Sequence, residues 1–187
     1  MRIFWCLLFI SSLNLKCQDI YFPNSIKSIG FGSCNRIDLD QKIWDVIANQ
    51  PMNAWVWLGD IVYTEGEKMD DLALKYSIQK SLPAYRKLSS KTNIFGIWDD
   101  HDFGPNDADR NWIHGDWASE TFKAFWANPS YGAPAGANNV ATAFRFSDVE
   151  FFLLDNRSNR VHHYNETQDP QVLGEDQIDW LIAAMNK

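Results

Sequence analysis

Ile94-Phe95-Gly96-Ile97-Trp98-Asp99-Asp100-His101-Asp102 is an apolar run that passes without a break into three carboxylates and an imidazole. A short apolar stretch with β-branched and aromatic residues reads as a strand buried on both faces. The same design recurs upstream. Ala54-Trp55-Val56-Trp57-Leu58 ends at Gly59-Asp60, and Lys27-Ser28-Ile29-Gly30-Phe31-Gly32-Ser33-Cys34 runs into a glycine-rich turn. Three strands that each end in polar groups, with helical segments between them, predict a parallel sheet of α/β type. In such a sheet ligands bind beyond the carboxyl ends of the strands, so these ends are where chemistry is expected.

The segments between and after the strands read as helices and one hairpin. Asp40–Asn49 places Ile43, Trp44, Val46 and Ile47 on one stripe, with Asp40 as a cap and Pro51 as a stop. Met69–Lys80 and Pro83–Ser89 follow, the second with proline at a permitted first-turn position. Ser119–Ala127 is predicted helical, and Asn128–Gly136 is a loop by composition. Thr142–Phe146 and Glu150–Leu154 flank Ser147-Asp148 as an antiparallel hairpin, which leads into Asp155-Asn156-Arg157. In Glu175–Asn186 the spacing puts Ile178, Leu181, Ile182 and Met185 on one helical face.

Composition agrees with one folded domain. Of 187 residues, 45% are hydrophobic, 22% charged and 14% aromatic, which excludes disordered, collagen-like and coiled-coil chains. At this length roughly 70% of the unfolded surface can be hidden, so neither disulfide nor metal is needed merely to hold a core. The net charge of −7 repels polyphosphate backbones and argues against general nucleic-acid binding.

The N-terminus reads as an address rather than a membrane span, with a buried first strand or helix as the alternative. Arg2 precedes the apolar run Ile3–Leu15, too short for a bilayer helix and suited to a secretory signal. We therefore expect residues 1–17 to be a signal peptide, residues 18–187 the exported domain, and Cys34 its one thiol once Cys6 and Cys17 are removed.

Asp60, Asp99, Asp100, His101 and Asp102 at one sheet edge, with Cys34 at the first strand end, form a donor set for metal ions. Carboxylates and imidazole suit hard cations, and a thiolate beside them favours a transition metal such as iron or zinc. Taken singly, each aspartate reads first as a solvated turn or cap residue, and it is the constellation that points to metal. Other motifs fail: the acids do not align with a calcium-binding EF-hand loop, the third glycine of a dinucleotide fingerprint is missing after Gly30 and Gly32, and no G-x-S-x-G occurs.

Gly32-Ser33-Cys34, Gly59-Asp60-Ile61-Val62-Tyr63, Trp98 through Asp107, Leu154-Asp155-Asn156-Arg157 and Leu173 through Leu181 occur in an order that resembles the motifs of the PhoD-like alkaline phosphatases. That family belongs to the calcineurin-like metallophosphoesterases, and the resemblance spans residues 28 to 181. It implies an α/β/β/α sandwich, two sheets face to face with helices outside. It also implies hydrolysis of phosphate mono- or diesters at two metal ions, iron plus calcium, with zinc or manganese as substitutes. Asp60 would bridge the ions, Cys34 and Tyr63 would bind the iron, and Asp100 would stand where the superfamily has a metal-binding Asn. His101 would assist the leaving group, while Asn106 and Arg157 would contact phosphate, with Asn35 and Asp99 as further candidates for outer contacts. Turn capping or surface pairing is the alternative for each of these four. His114, His162 and His163 match no motif.

In one respect the chain departs from the family. The family completes its site with an Asp/Asn-x-His type motif in a second half, and here the sequence ends at Lys187, so the expectation is an N-terminal part of the sandwich. In the expected mechanism, ions about 3.5–4 Å apart activate a water that attacks phosphorus in line. Loops such as Asn111–Trp117 would select the ester. The rival expectation is a non-catalytic exported binding module that keeps the fold and part of the site.

Overall fold

In the computed structural model the described residues are 18–20, 25–64, 69–131, 139–162 and 164–186, with only the backbone described at 18–20 and 69–70. The elements run β1 (Gln18–Ile20), β2 (Ile29–Gly32), α1 (Ile43–Ile47), β3 (Ala54–Leu58), α2 (Met69–Ser81), α3 (Pro83–Ser89), β4 (Asn93–Ile97), α4 (Asp100–Phe103), α5 (Gly115–Phe125), β5 (Thr142–Phe146), β6 (Val149–Leu153) and α6 (Glu175–Met185). The fold is mixed α/β. The expected signal segment, His163 and most of the loop before β5 lie outside the described residues.

Strands β2, β3 and β4 form one parallel sheet, in that order, and β1, β5 and β6 form a second. In the first sheet Gly30 stands opposite Trp55, and Val56 opposite Phe95. Because side chains alternate along a strand, this register puts Val56 and Phe95 on one face and the indoles of Trp55 and Trp57 on the other. Phe95 meets Phe144, Phe146 and Phe151 of the second sheet at ring distances of 4.5, 5.5 and 5.9 Å. The core between the sheets is thus aromatic.

On the opposite face, helices cover a tryptophan cluster. Trp44 of α1 packs edge-on against Trp55 and Trp57 at 5.3 Å each, and against Tyr85 of α3 at 5.0 Å. The Trp57 indole N–H donates to Tyr85 Oη at 3.0 Å, so its one polar atom is satisfied inside the core. Each fully buried side chain of this size contributes about 1.5–3 kcal/mol or more of transfer free energy. Gly32 makes room for this cluster: a Cβ there would lie 2.3 Å from the Trp55 ring.

Several expectations shift. Helix α1 is shorter than the predicted Asp40–Asn49 and buries Trp44 alone of its stripe, leaving Ile43 and Val46 exposed and Ile47 half-buried. The Lys42 N–H bonds Asp40 Oδ1 at 3.1 Å, in a turn that precedes the helix. Helix α5 begins at Gly115, four residues before the predicted start, because Ala118, Ser119 and Phe122 all face the core. The hairpin is as expected at its turn, where Phe146 pairs with Val149 and Ser147 takes φ 57°.

Helix α6 departs most. Its predicted apolar face is largely exposed at Ile178, Ile182 and Met185, and the side chain it buries completely is Gln177. The Gln177 amide accepts from the Asp155 N–H at 2.8 Å and donates to the Asp155 carbonyl at 2.7 Å. Both backbone groups of a residue just past β6 are thereby satisfied, and a buried peptide without such partners costs about 1–3 kcal/mol.

Candidate metal centre

The carboxyl ends of β2, β3 and β4 carry the site, and backbone geometry there is unusual. Cys34 and Asp60 both adopt left-handed backbone conformations, φ 54° and 47°, which cost a non-glycine residue about 1–2 kcal/mol. The two turns are stitched together. The Asn35 N–H donates to the Asp60 carbonyl at 2.8 Å, and Asn35 Nδ2 reaches Ile61 O at 2.9 Å and Gln79 Oε1 at 2.8 Å. Asn35 is therefore a scaffold residue. Gly59, at φ 90°, lets the β3 end approach the chain after β4 so closely that a Cβ would lie 2.4 Å from Asp99 Cβ.

After β4 the chain turns at once into α4. Asp99 caps the helix in a reciprocal capping box with Asp102. Asp102 is buried and accepts from the Asp99 and Ile61 N–H groups at 3.2 Å, the Val62 N–H at 3.4 Å and Tyr76 Oη at 2.9 Å. Burial pushes its carboxyl up to about 7 against the pull of these donors. Of the acids in the donor set read from sequence, Asp102 is the one the fold uses as a tie between β3, α2 and α4.

Asp60, Asp100 and His101 each offer a ligand atom within 4.8 Å of the others. Cys34 joins them, its thiol 3.7 Å from Asp60 Oδ2, and the Tyr63 ring lies 4.2 Å from the His101 ring. Cys34 is exposed, while Tyr63 and His101 are half-buried. Thr64 Oγ1 fixes the start of α4 by donating to the His101 carbonyl at 2.8 Å. Two buried atoms of the group, Asp60 Oδ1 and His101 Nδ1, have no hydrogen-bond partner among the described residues. Orphaned atoms of this kind are costly in a dry place, and a cation would satisfy the Asp60 oxygen and leave the imidazole beside it for proton transfer. The donor set of two carboxylates, an imidazole, a thiol and a phenol fits one or more metal ions.

Charge is distributed unevenly in the group. Burial first, then the neighbouring Asp100 and Asp99 charges, raises the Asp60 carboxyl above its ordinary value. Burial would raise Asp100 too, but the Asp107 N–H, Arg157 and His101 outweigh it and hold that carboxyl low. The Tyr63 hydroxyl is raised by burial and by its contacts with Cys34 and Asp60.

The two side chains expected at phosphate sit differently. Arg157 is buried, and it sends Nε and Nη2 to Asp99 Oδ1 at 2.6 and 2.5 Å, with Nη2 also 3.5 Å from Asp100 Oδ1. Asn106 is exposed, and its Nδ2 donates to Asp107 Oδ2 at 2.7 Å. Asn156 donates to Asp99 Oδ1 at 2.7 Å, which gives that one carboxylate oxygen three donors. His114 packs on Trp112 and His162 on Tyr164, and neither belongs to the metal-competent group. Thr64 and the role of Asp102 are not singled out from sequence, and no spacing signal marks them; Asn156 is read only as part of the motif before Arg157.

No family model and no curated protein matches the sequence. A solved structure titled "Structure of PhoD" aligns with a TM-score of 0.69 at 14% identity, over 83% of this chain and 38% of that one. The chain has a PhoD-like fold. At that identity the likeness shows fold alone, and the chain spans well under half the length of the PhoD structure. Among the described residues no helix is long and apolar enough to cross a membrane.

Proposed function

We propose that this chain forms the metal-binding part of an exported PhoD-like phosphoesterase that hydrolyses phosphate esters at a two-metal centre. The observation that carries the reading is the convergence of Asp60, Asp100 and His101, with the buried Asp60 Oδ1 and His101 Nδ1 left unpaired. The PhoD-like fold and the ordered motifs from Cys34 to Arg157 support it.

Ions held there would supply Lewis acidity towards the phosphoryl group and activate water as nucleophile. Asp60 would be shared between the two ions, Cys34 and Tyr63 would hold the iron, and Asp100 would hold the second ion, calcium or, in its place, zinc or manganese. A thiolate among the donors favours a transition metal over calcium, which carboxylates alone would not do. His101 protonates the departing alkoxide oxygen, and its seat on the first turn of α4 fixes the imidazole beside both carboxylates. Asn106, exposed seven residues after Asp99, keeps the role of a phosphate contact. Export rests on the signal-like run Ile3–Leu15.

Metal stoichiometry together with turnover tests the reading. The full product of the coding sequence, dialysed against iron and calcium, is expected to hold two ions and to cleave p-nitrophenyl phosphate or its bis ester. A single weak ion and no cleavage of either ester would replace the phosphoesterase with an exported binding module.

A further inference from the structure

We propose that Arg157 is a positioning residue that locks the Asp100 carboxylate for metal binding, rather than a residue that grips the substrate phosphate; the inference rests on the metal-site reading above. The geometry leaves its guanidinium little to offer a ligand. Nε and Nη2 both engage Asp99 Oδ1, Nη2 also faces Asp100 Oδ1, and Nη1 donates to the Ala108 carbonyl at 3.4 Å. The side chain is 7% exposed.

Asp100 is held from two sides. Its Oδ2 accepts the Asp107 N–H at 2.7 Å, and Asp107 adopts a left-handed backbone, φ 59°, in the turn that delivers that donor. Its Oδ1 faces Arg157 Nη2 at 3.5 Å, an ion-pair contact that sets positive charge beside the carboxylate, while the Nε and Nη2 fork goes to Asp99 Oδ1 and holds the guanidinium in place. Arg157 is itself anchored from a third direction, because its own N–H donates to Asp155 Oδ1 at 2.9 Å and Asp155 is buried under Trp98 and Gln177. The loop after β6 is thus coupled to the first turn of α4 through one side chain. Such outer partners of metal ligands are worth about 10–100-fold in metal affinity.

The experiment is a Mn²⁺ titration of the full chain, read from the electron paramagnetic resonance signal of the free ion, for wild type, Arg157→Gln, Arg157→Lys and Asp99→Asn. Wild-type binding is the reference: if wild type takes up no Mn²⁺, the metal-site reading fails, and the positioning role falls with it. Given wild-type binding, Arg157→Gln is expected to weaken Mn²⁺ affinity about 10–100-fold, and Arg157→Lys to recover part of the loss by restoring charge without the fork. Asp99→Asn is expected to weaken it too, and the Asp99→Asn/Arg157→Gln double variant to lose less than the two single losses combined, since the two side chains act as one unit. Circular dichroism and thermal melts in parallel identify any variant that does not fold, in which case the Lys variant and Asp99→Asn decide. Unchanged Mn²⁺ affinity in folded Arg157 variants, with KM for p-nitrophenyl phosphate raised, would overturn the positioning role and return Arg157 to the substrate.

Discussion

The thiol of Cys34 lies 3.7 Å from the Asp60 carboxylate although the two residues are 26 positions apart, and both hold left-handed backbone conformations at the ends of adjacent parallel strands. Strain at two neighbouring turns, tied together through Asn35, is what sets thiol and carboxylate face to face. Cys34→Gly separates backbone from chemistry. Relief of about 1–2 kcal/mol of strain against about 0.5–1 kcal/mol of added chain entropy leaves metal-free stability nearly unchanged or slightly higher. Cys34→Ser keeps the strain and loses the thiol. Both variants are expected to shift metal content away from iron in elemental analysis, and an unchanged iron content would remove Cys34 from the centre.

Asp60→Asn separates metal binding from folding. The variant removes a carboxylate that burial and neighbouring Asp100 disfavour, so the metal-free protein is expected to unfold at the same or a slightly higher urea concentration. Wild type should gain about 2.7 kcal/mol in the presence of metal at a hundred times its dissociation constant, and the variant close to none. Equal stabilisation of both by metal would displace Asp60 from the centre.

Asp102 makes metal-free stability depend on pH. Its carboxyl stands at about 7 in the folded protein and at the ordinary 3.8 when exposed, so the folded state keeps a proton that the unfolded chain releases. The contribution is complete below about pH 3.8 and is lost as pH rises through about 7, a swing on the order of 4 kcal/mol. Urea unfolding of chelator-treated protein at pH 5 and pH 8 is expected to show lower stability at pH 8, and Asp102→Asn to flatten the difference.

Gly59→Ala tests the approach of the two strand ends. A Cβ at φ 90° is strained in any surroundings, and here it would also lie 2.4 Å from Asp99 Cβ and 2.8 Å from the Asp99 nitrogen. A loss of about 2–4 kcal/mol in chemical unfolding is expected. A loss below 1 kcal/mol would mean that the turn relaxes, contrary to the tight contact described.

The readable part of this fold is its strands. Ala54–Leu58 is bounded as predicted because both faces are buried and the apolar run coincides with the strand, and Pro83 marks the start of α3 for a local reason. Local patterns also located the donor set, since an acid just past a buried strand is visible in the order of residues alone. What they did not settle is which acid faces the crevice and which turns inward. Asp100 and Asp102 are two positions apart on α4, and only the packing of Tyr76 and the Ile61 turn makes one a candidate ligand and the other a tie. Arg157 was similarly illegible, because its partners lie 57 and 58 residues away in sequence. On α6 an apolar stripe pointed to the wrong face, since the strand-end peptide of Asp155 claimed Gln177.

The parallel pairing of β1 with β5, in which Gln18 lies beside Phe144, has a consequence for the order of assembly. The sheet of β2, β3 and β4 closes with chain no further than Ile97, and Cys34, Asp60, Asp100 and His101 are all synthesised by then or a few residues later. The second sheet must wait for β5 and β6, on the order of seconds later on a ribosome, and long-range parallel closure is intrinsically slow. During that interval the Phe95 face has no partner layer, and Asp99 and Asp100 lack the arginine that later sits against them. The nascent chain thus carries its ligand cluster before it carries the group that restrains it, which makes early metal capture, or a chaperone over the bare aromatic face, a kinetic question in the birth of this protein.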